Sequence, residues 1–256
     1  MFTLSSNLEY MFKEAGDKLE DRIEAAAQAG ITHVEIFSME GRDLQAVANA
    51  LSTHNVTLQS MLVDPRTMLV LRDTHEQFLA NVRATAEQAI ALGCKHLVCG
   101  SGTGAPFLPR AASLDIVCEA IDKAADIAKE KGLTLLLEAV NTRVDHPGVF
   151  FSNTSDTFYI ANKLNRPEVK VLYDLYHSAA ENEDVVSTLH TIAGQIGHIQ
   201  IADFPGRGEP GAGELNWPEL LKQISNTGYS GPIGVECYPT KASTVEALSY
   251  IRSLTQ

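Results

Sequence analysis

Four oxygen-bearing side chains stand at the ends of short apolar runs in the second half of the chain: Glu138 after LTLLL, Asp174 after VKVLY, Gln200 in GHIQIAD and Glu236 after PIGV. They are 36, 26 and 36 residues apart. Taken singly, each reads equally well as a polar group where a strand leaves a core. Three carboxylates brought to one place, however, need a cation or shared protons to coexist. Around a cation, Glu138, Asp174, the amide oxygen of Gln200 and Glu236 form an all-oxygen set. Such hard donors select Mg2+ or Mn2+ over zinc, which prefers His and Cys.

Those spacings are each about one strand-plus-helix unit, and the whole chain repeats that unit. Short apolar runs predict strands at Phe2–Asn7, His33–Phe37, Val56–Leu62, His96–Cys99, Leu133–Glu138, Val169–Asp174, Ile196–Ile201 and Ile233–Glu236. Amphipathic stretches predict helices at Lys18–Ala29, Leu44–Thr53, His75–Leu92, Ser113–Lys131, Thr154–Leu164, Val185–Ile192, Trp217–Thr227 and Thr244–Leu254. Gly30, Gly93, Gly132 and Gly228 each follow such a stretch, as helix-terminating glycines do. Eight units in 256 residues predict an α/β fold, a (β/α)8 TIM barrel forming one domain over residues 1–256. An open doubly wound sheet fits the same string less well, because the units run without interruption. In a barrel, function sits at the C-terminal ends of the strands, which is where the four residues stand.

Composition narrows the partners. The chain is 45% hydrophobic and 20% charged, with a formal net charge of −12. That charge repels phosphate backbones and anionic membrane surfaces, so neither nucleic acid nor a membrane is expected as a partner. No run approaches 18 apolar residues, and the N-terminus lacks a basic segment followed by an apolar one. Cys94, Cys99, Cys118 and Cys237 show no paired spacing and read as reduced thiols. A cytoplasmic enzyme is the expectation, with a homo-oligomer allowed.

The stretches LLLEAVNTR, FFSNT, VLYDLYH, GHIQIADFPGRGEPGAGELNWPELL and GYSGPIGVECYP, over about Leu133 to Pro239, resemble the hydroxypyruvate isomerase family. That family lies within the xylose-isomerase-like barrels, which also include ketose 3-epimerases. The opening NLEYMF, with Asn7 at the end of the first strand, is similar to the family's start. By this resemblance Glu138, Asp174, Gln200 and Glu236 fall on metal ligands, and Glu138 and Glu236 double as the acid/base pair. His177 and Arg207 fall on substrate-binding positions. The chain departs from the family at Val63-Asp64-Pro65-Arg66, where an Asn-Leu-Pro type loop is usual, and at Tyr238, where Lys is frequent.

The resemblance implies proton removal beside a carbonyl, giving an enediolate, by a metal-dependent isomerase of a small hydroxy-oxo acid or ketose. Conversion of hydroxypyruvate to tartronate semialdehyde is the leading reaction, and ketose 3-epimerisation is the alternative. An endonuclease-IV-like enzyme would need extra metal ligands on strands two to four, whose ends offer Phe37, Val63 and Cys99. A non-catalytic sugar-binding barrel would have lost a carboxylate. Arg207 lies between Gly206 and Gly208 and is the cation the resemblance offers to a substrate carboxylate, against a surface pairing with Glu209 or Glu214. Arg143 and His146 are weaker rim candidates, and Phe150, Phe151 and Trp217 read as packing residues. The run Gly100-Ser101-Gly102-Thr103-Gly104 lacks phosphate-loop spacing and reads as a rim loop.

Overall fold

Parallel strands need helical crossovers, and the alternation of runs supplies one after each strand. The computed structural model describes residues 2–255. Its strands are β1 (Leu4–Asn7), β2 (His33–Ile36), β3 (Thr57–Leu62), β4 (His96–Cys99), β5 (Thr134–Glu138), β6 (Val169–Asp174), β7 (Ile196–Ile201) and β8 (Ile233–Val235). They are hydrogen-bonded in sequence order, and β8 pairs with β1 to close the barrel. Around it lie α1 (Leu19–Gln28), α2 (Leu44–His54), α3 (His75–Ala91), α4 (Arg110–Lys131), α5 (Thr154–Leu164), α6 (Leu175–Ala180), α7 (Val185–Ile192), α8 (Trp217–Asn226) and α9 (Thr244–Thr255).

The (β/α)8 expectation holds, and β4, β6, β7, α5 and α7 have the expected limits. Elsewhere ends shift by one to three residues. Helix α4 starts at Arg110 rather than Ser113, directly after Pro109, whose φ of −57° is compatible with helix entry. The short helix α6 was not expected, because six residues carry no readable period. Asp174 starts it: its side chain accepts from the backbone N–H groups of Tyr176 and His177. Gly30, Gly93, Gly132 and Gly228 all have φ between 68° and 80°, as helix-ending residues require.

Strand alternation decides what fills the barrel. Val98, Leu136 and Leu172 form a small cluster, with Leu62 packed against it, apart from the large core between sheet and helices. Two residues further along their strands come Glu138 after Leu136 and Asp174 after Leu172. The same inward parity carries Asn7 on β1, Glu35 on β2, Ser60 on β3, and His198 and Gln200 on β7. Register completes the ring, with Asp174 opposite Gln200 and Gln200 opposite Gly234. A β-carbon at Gly234 would collide with Glu35 Oε1, so glycine is what lets that carboxylate sit inside the barrel.

Candidate functional site

The C-terminal ends of the strands surround a cavity of about 490 Å³, lined among others by Asn7, Tyr10, Arg66, Glu138, His146, His177, Gln200, Arg207 and Glu236. The structure therefore brings together five of the six residues singled out in the sequence along the cavity wall. The sixth, Asp174, is buried behind it, with its Oδ2 3.7 Å from His177 Nε2 and 3.9 Å from Arg207.

Three oxygen-bearing groups have the chemistry to hold a cation. Asp174 Oδ1 accepts from Tyr176 N (2.8 Å) and His177 N (3.3 Å), while Oδ2 is buried with no partner among the described residues. Gln200 Nε2 donates to Glu35 Oε2 (2.7 Å) and Glu236 Oε2 (2.9 Å). Both acceptors are carboxylates, so the amide cannot be turned round, and Gln200 Oε1 is left buried without a hydrogen-bond partner among the described residues. The third is the carboxylate of Glu138, which faces the cavity; burial, with the charge of Asp174 beside it, pushes its pKa up to about 8. Glu138, Asp174 and His177 offer ligand atoms within 4.8 Å of one another, so the site has the donors to hold a metal ion. Buried unpaired oxygens are what a cation would satisfy.

Hydrogen bonding separates His177 from the carboxylates. Asn141 Oδ1 accepts from the N–H groups of Val144 and Asp145, which fixes its amide so that Nδ2 donates to His177 Nδ1 at 2.7 Å. The backbone N–H of Asn141 donates to the same Nδ1 at 3.2 Å. Burial and then the charge of Arg207 hold the imidazole well below its ordinary range, hence neutral. A neutral ring with Nδ1 accepting carries its hydrogen on Nε2, which suits a donor to substrate better than a metal ligand.

Arg207 is only 4% exposed, so the surface pairing with Glu209 or Glu214 does not form. Its guanidinium lies 2.5 Å from Glu236 Oε1 and within 6 Å of the rings of Tyr10, Tyr176 and Tyr238. Glu209 instead accepts from the N–H and hydroxyl of Thr240. The loop carrying Arg207 is organised by fully buried Asp203, which accepts from Phe204 N, Gly211 N, Leu215 N and Trp217 Nε1. Trp217 thus packs and also anchors the loop. Glu236 accepts as well from Asn7 Nδ2 at 3.0 Å. Burial raises the Glu236 carboxyl, with Arg207 opposing. Arg143 stands outside the cavity wall, 3.9 Å from Glu181, whereas His146 lines the cavity with its ring 5.5 Å from that of His177.

Sequence reading missed Glu35 and His198. Glu35 accepts from His198 Nε2 (3.0 Å), Gln200 Nε2 and Ser60 Oγ (3.3 Å), beneath the four oxygen donors. The signal was the alternation in His33-Val34-Glu35-Ile36, which puts a carboxylate on the inward face of a barrel strand.

A model of the Xylose isomerase-like TIM barrel family matches residues 23–254. The hydroxypyruvate isomerase of Escherichia coli K12 is 32% identical, covering 96% of each chain. The 2-oxo-tetronate isomerase of Cupriavidus necator is also 32% identical, covering 97% of this chain and 96% of the other. Among solved structures, one described as an AP endonuclease, family 2, from Brucella melitensis superposes with a TM-score of 0.91 at 32% identity, over 99% of both chains.

Proposed function

Because the chain belongs to the Xylose isomerase-like TIM barrel family, we propose that it is an isomerase of small hydroxy-oxo acids, with hydroxypyruvate as the leading substrate. Two relatives named as isomerases of such acids, similar over nearly their full length, support this reading. The observation that carries it is the pair of unpartnered buried oxygens, Asp174 Oδ2 and Gln200 Oε1, beside two cavity-facing glutamates. Glu138, Asp174, Gln200 and Glu236 would hold one Mg2+ or Mn2+. When bound, the ion supplies positive charge that polarises the carbonyl and hydroxyl oxygens of the substrate.

Glu138 and Glu236 come from β5 and the end of β8, so they reach the cavity from different strands. One takes the proton from the carbon bearing the hydroxyl, leaving an enediolate; a proton is then returned to the former carbonyl carbon and the hydroxyl proton passes to its oxygen, so the carbonyl has moved by one position. His177 donates from Nε2 to a substrate oxygen. Arg207 holds Glu236 in place and keeps its carboxylate facing the cavity. Tyr10, Tyr176 and Tyr238 restrict where the Arg207 guanidinium can go.

The test is deuterium incorporation from D2O, with Mn2+ present, into hydroxypyruvate, other three- to six-carbon hydroxy-oxo acids and neutral ketoses. Wild type should label a hydroxy-oxo acid, and Glu236→Gln should lower kcat by about 10²–10⁴-fold while keeping the fold. Faster labelling of neutral ketohexoses than of every acid would make the protein a ketose 3-epimerase instead.

A further inference from the structure

Two guanidinium groups and two imidazoles line the cavity, and they are not equivalent. Arg207 is committed to Glu236 at 2.5 Å and lies 3.9 Å from Asp174. Burial, then Arg207, holds both histidines below their ordinary range, and Arg66 adds to this at His146. Arg66 makes no ion pair and no side-chain hydrogen bond among the described residues, though it lines the same cavity as Glu138 and Glu236. Its neighbour Thr67 lines the same wall and has a buried hydroxyl, also without a partner among the described residues.

The wall that carries them is fixed. Leu69 N donates to Ser101 O at 3.0 Å, joining the segment after β3 to the glycine run after β4. Gly102 has a φ of 67°, and a β-carbon there would collide with the backbone carbonyl of Thr67. A β-carbon at Gly100 would lie 3.9 Å from Arg66 Cδ. The glycine run that the sequence marks as a rim loop is thus the seat on which Arg66 and Thr67 rest.

We propose that Arg66 and Thr67 form an anion subsite that binds the carboxylate of the substrate, on the part of the cavity wall supplied by the segment after β3. This rests on the isomerase reading. An acid turned the other way would bring its charge against the carboxylates of β5, β6 and β8, whereas the Arg66 side offers an uncommitted cation and a hydroxyl donor. Arg207 does not take the role that the resemblance suggests for it, because its charge is already spent inside the protein. A cavity of about 490 Å³ leaves room for acids longer than hydroxypyruvate.

The experiment uses D-glycerate, an unreactive hydroxy acid, as the probe. Calorimetry on the Mn2+-loaded protein should show its Kd rising at least tenfold in Arg66→Gln, several-fold in Thr67→Val, and less in Arg66→Lys than in Arg66→Gln. Mn2+ affinity and melting temperature should stay at wild-type values, and KM should rise for acids while neutral ketoses keep theirs. Unchanged glycerate binding in Arg66→Gln, equal losses for acids and neutral ketoses, or a wild type that does not bind glycerate overturns the subsite. A wild type that binds glycerate through Arg66 yet labels no hydroxy-oxo acid in D2O refutes the isomerase reading and leaves the subsite standing.

Discussion

Replacing Glu35 tests whether the layer beneath the site controls the site itself. Glu35 is 1% exposed and receives hydrogen bonds from His198, Gln200 and Ser60. Glu35→Ala strands one N–H of His198 and one of Gln200 in the barrel. At about 1–3 kcal/mol for each buried donor left unsatisfied, the loss should be about 2–6 kcal/mol. Glu35→Gln keeps the volume but turns an NH2 toward one of those donors, and about half that loss is expected. Freed from Glu35, the Gln200 amide can rotate its oxygen away, so Mn2+ affinity should fall about 10–100-fold, as for other groups that orient a metal ligand. Urea unfolding and Mn2+ calorimetry on the same preparations read the two effects. Ser60→Ala, which removes the longest contact, serves as the control and should stay within about 1 kcal/mol. Burial opposes the charge on Glu35, but His198 and the donated hydrogen bonds outweigh it and hold its carboxyl below the usual carboxylate range. A group depressed in this way stabilises the fold above its unfolded value and loses that contribution as pH falls through its folded one. The gap between wild type and Glu35→Gln should therefore be full at pH 7 and narrow below about pH 4. Unchanged unfolding and unchanged Mn2+ affinity in Glu35→Gln would refute the reasoning.

Asp174→Ala should abolish Mn2+ binding and the rise in melting temperature that the ion gives wild type, because it removes an unpartnered oxygen from the set; retained affinity counts against the ligand assignment. Glu138, pushed up to about 8, must shed its proton to hold an ion, so affinity should rise between pH 6 and 8 with proton release. Titrations in two buffers of different ionisation enthalpy check this, and no released protons would contradict it. Asp203→Ala removes the acceptor of four N–H groups and should loosen the Arg207 loop, lowering activity. Trp217 is the sole tryptophan, so its emission reports the change; an unshifted spectrum with full activity would mean the loop holds by other contacts.

The barrel and its rim carboxylates were legible because a parallel strand buried on both faces is apolar until it ends, so Glu138 and Asp174 stand out after three or more apolar residues. Glu35 was not, since β2 has only four residues and its polar member reads as ordinary alternation. Arg207 was visible as a loop cation, but its partner Glu236 lies 29 residues on, and pairing at that distance is a product of tertiary packing. Arg66 showed only as a departure from a pattern. What it rests on is the neighbouring loop, whose glycines read from the sequence only as a flexible rim.

Asn7 Nδ2 and Glu236 Oε2, 3.0 Å apart, are separated by 229 residues of chain. At 5–20 residues per second, a ribosome takes roughly 10–50 s to travel from one to the other. For that interval β1 has no partner on its β8 side, and its edge is open to water, chaperones or another nascent chain. On a chain that stops short of Glu236 the wall of the cavity is incomplete. A product of interrupted translation could fold most of the barrel's strands and still lack Glu236, one of the two glutamates proposed to move protons, so on that proposal catalysis arrives in a single late step of synthesis.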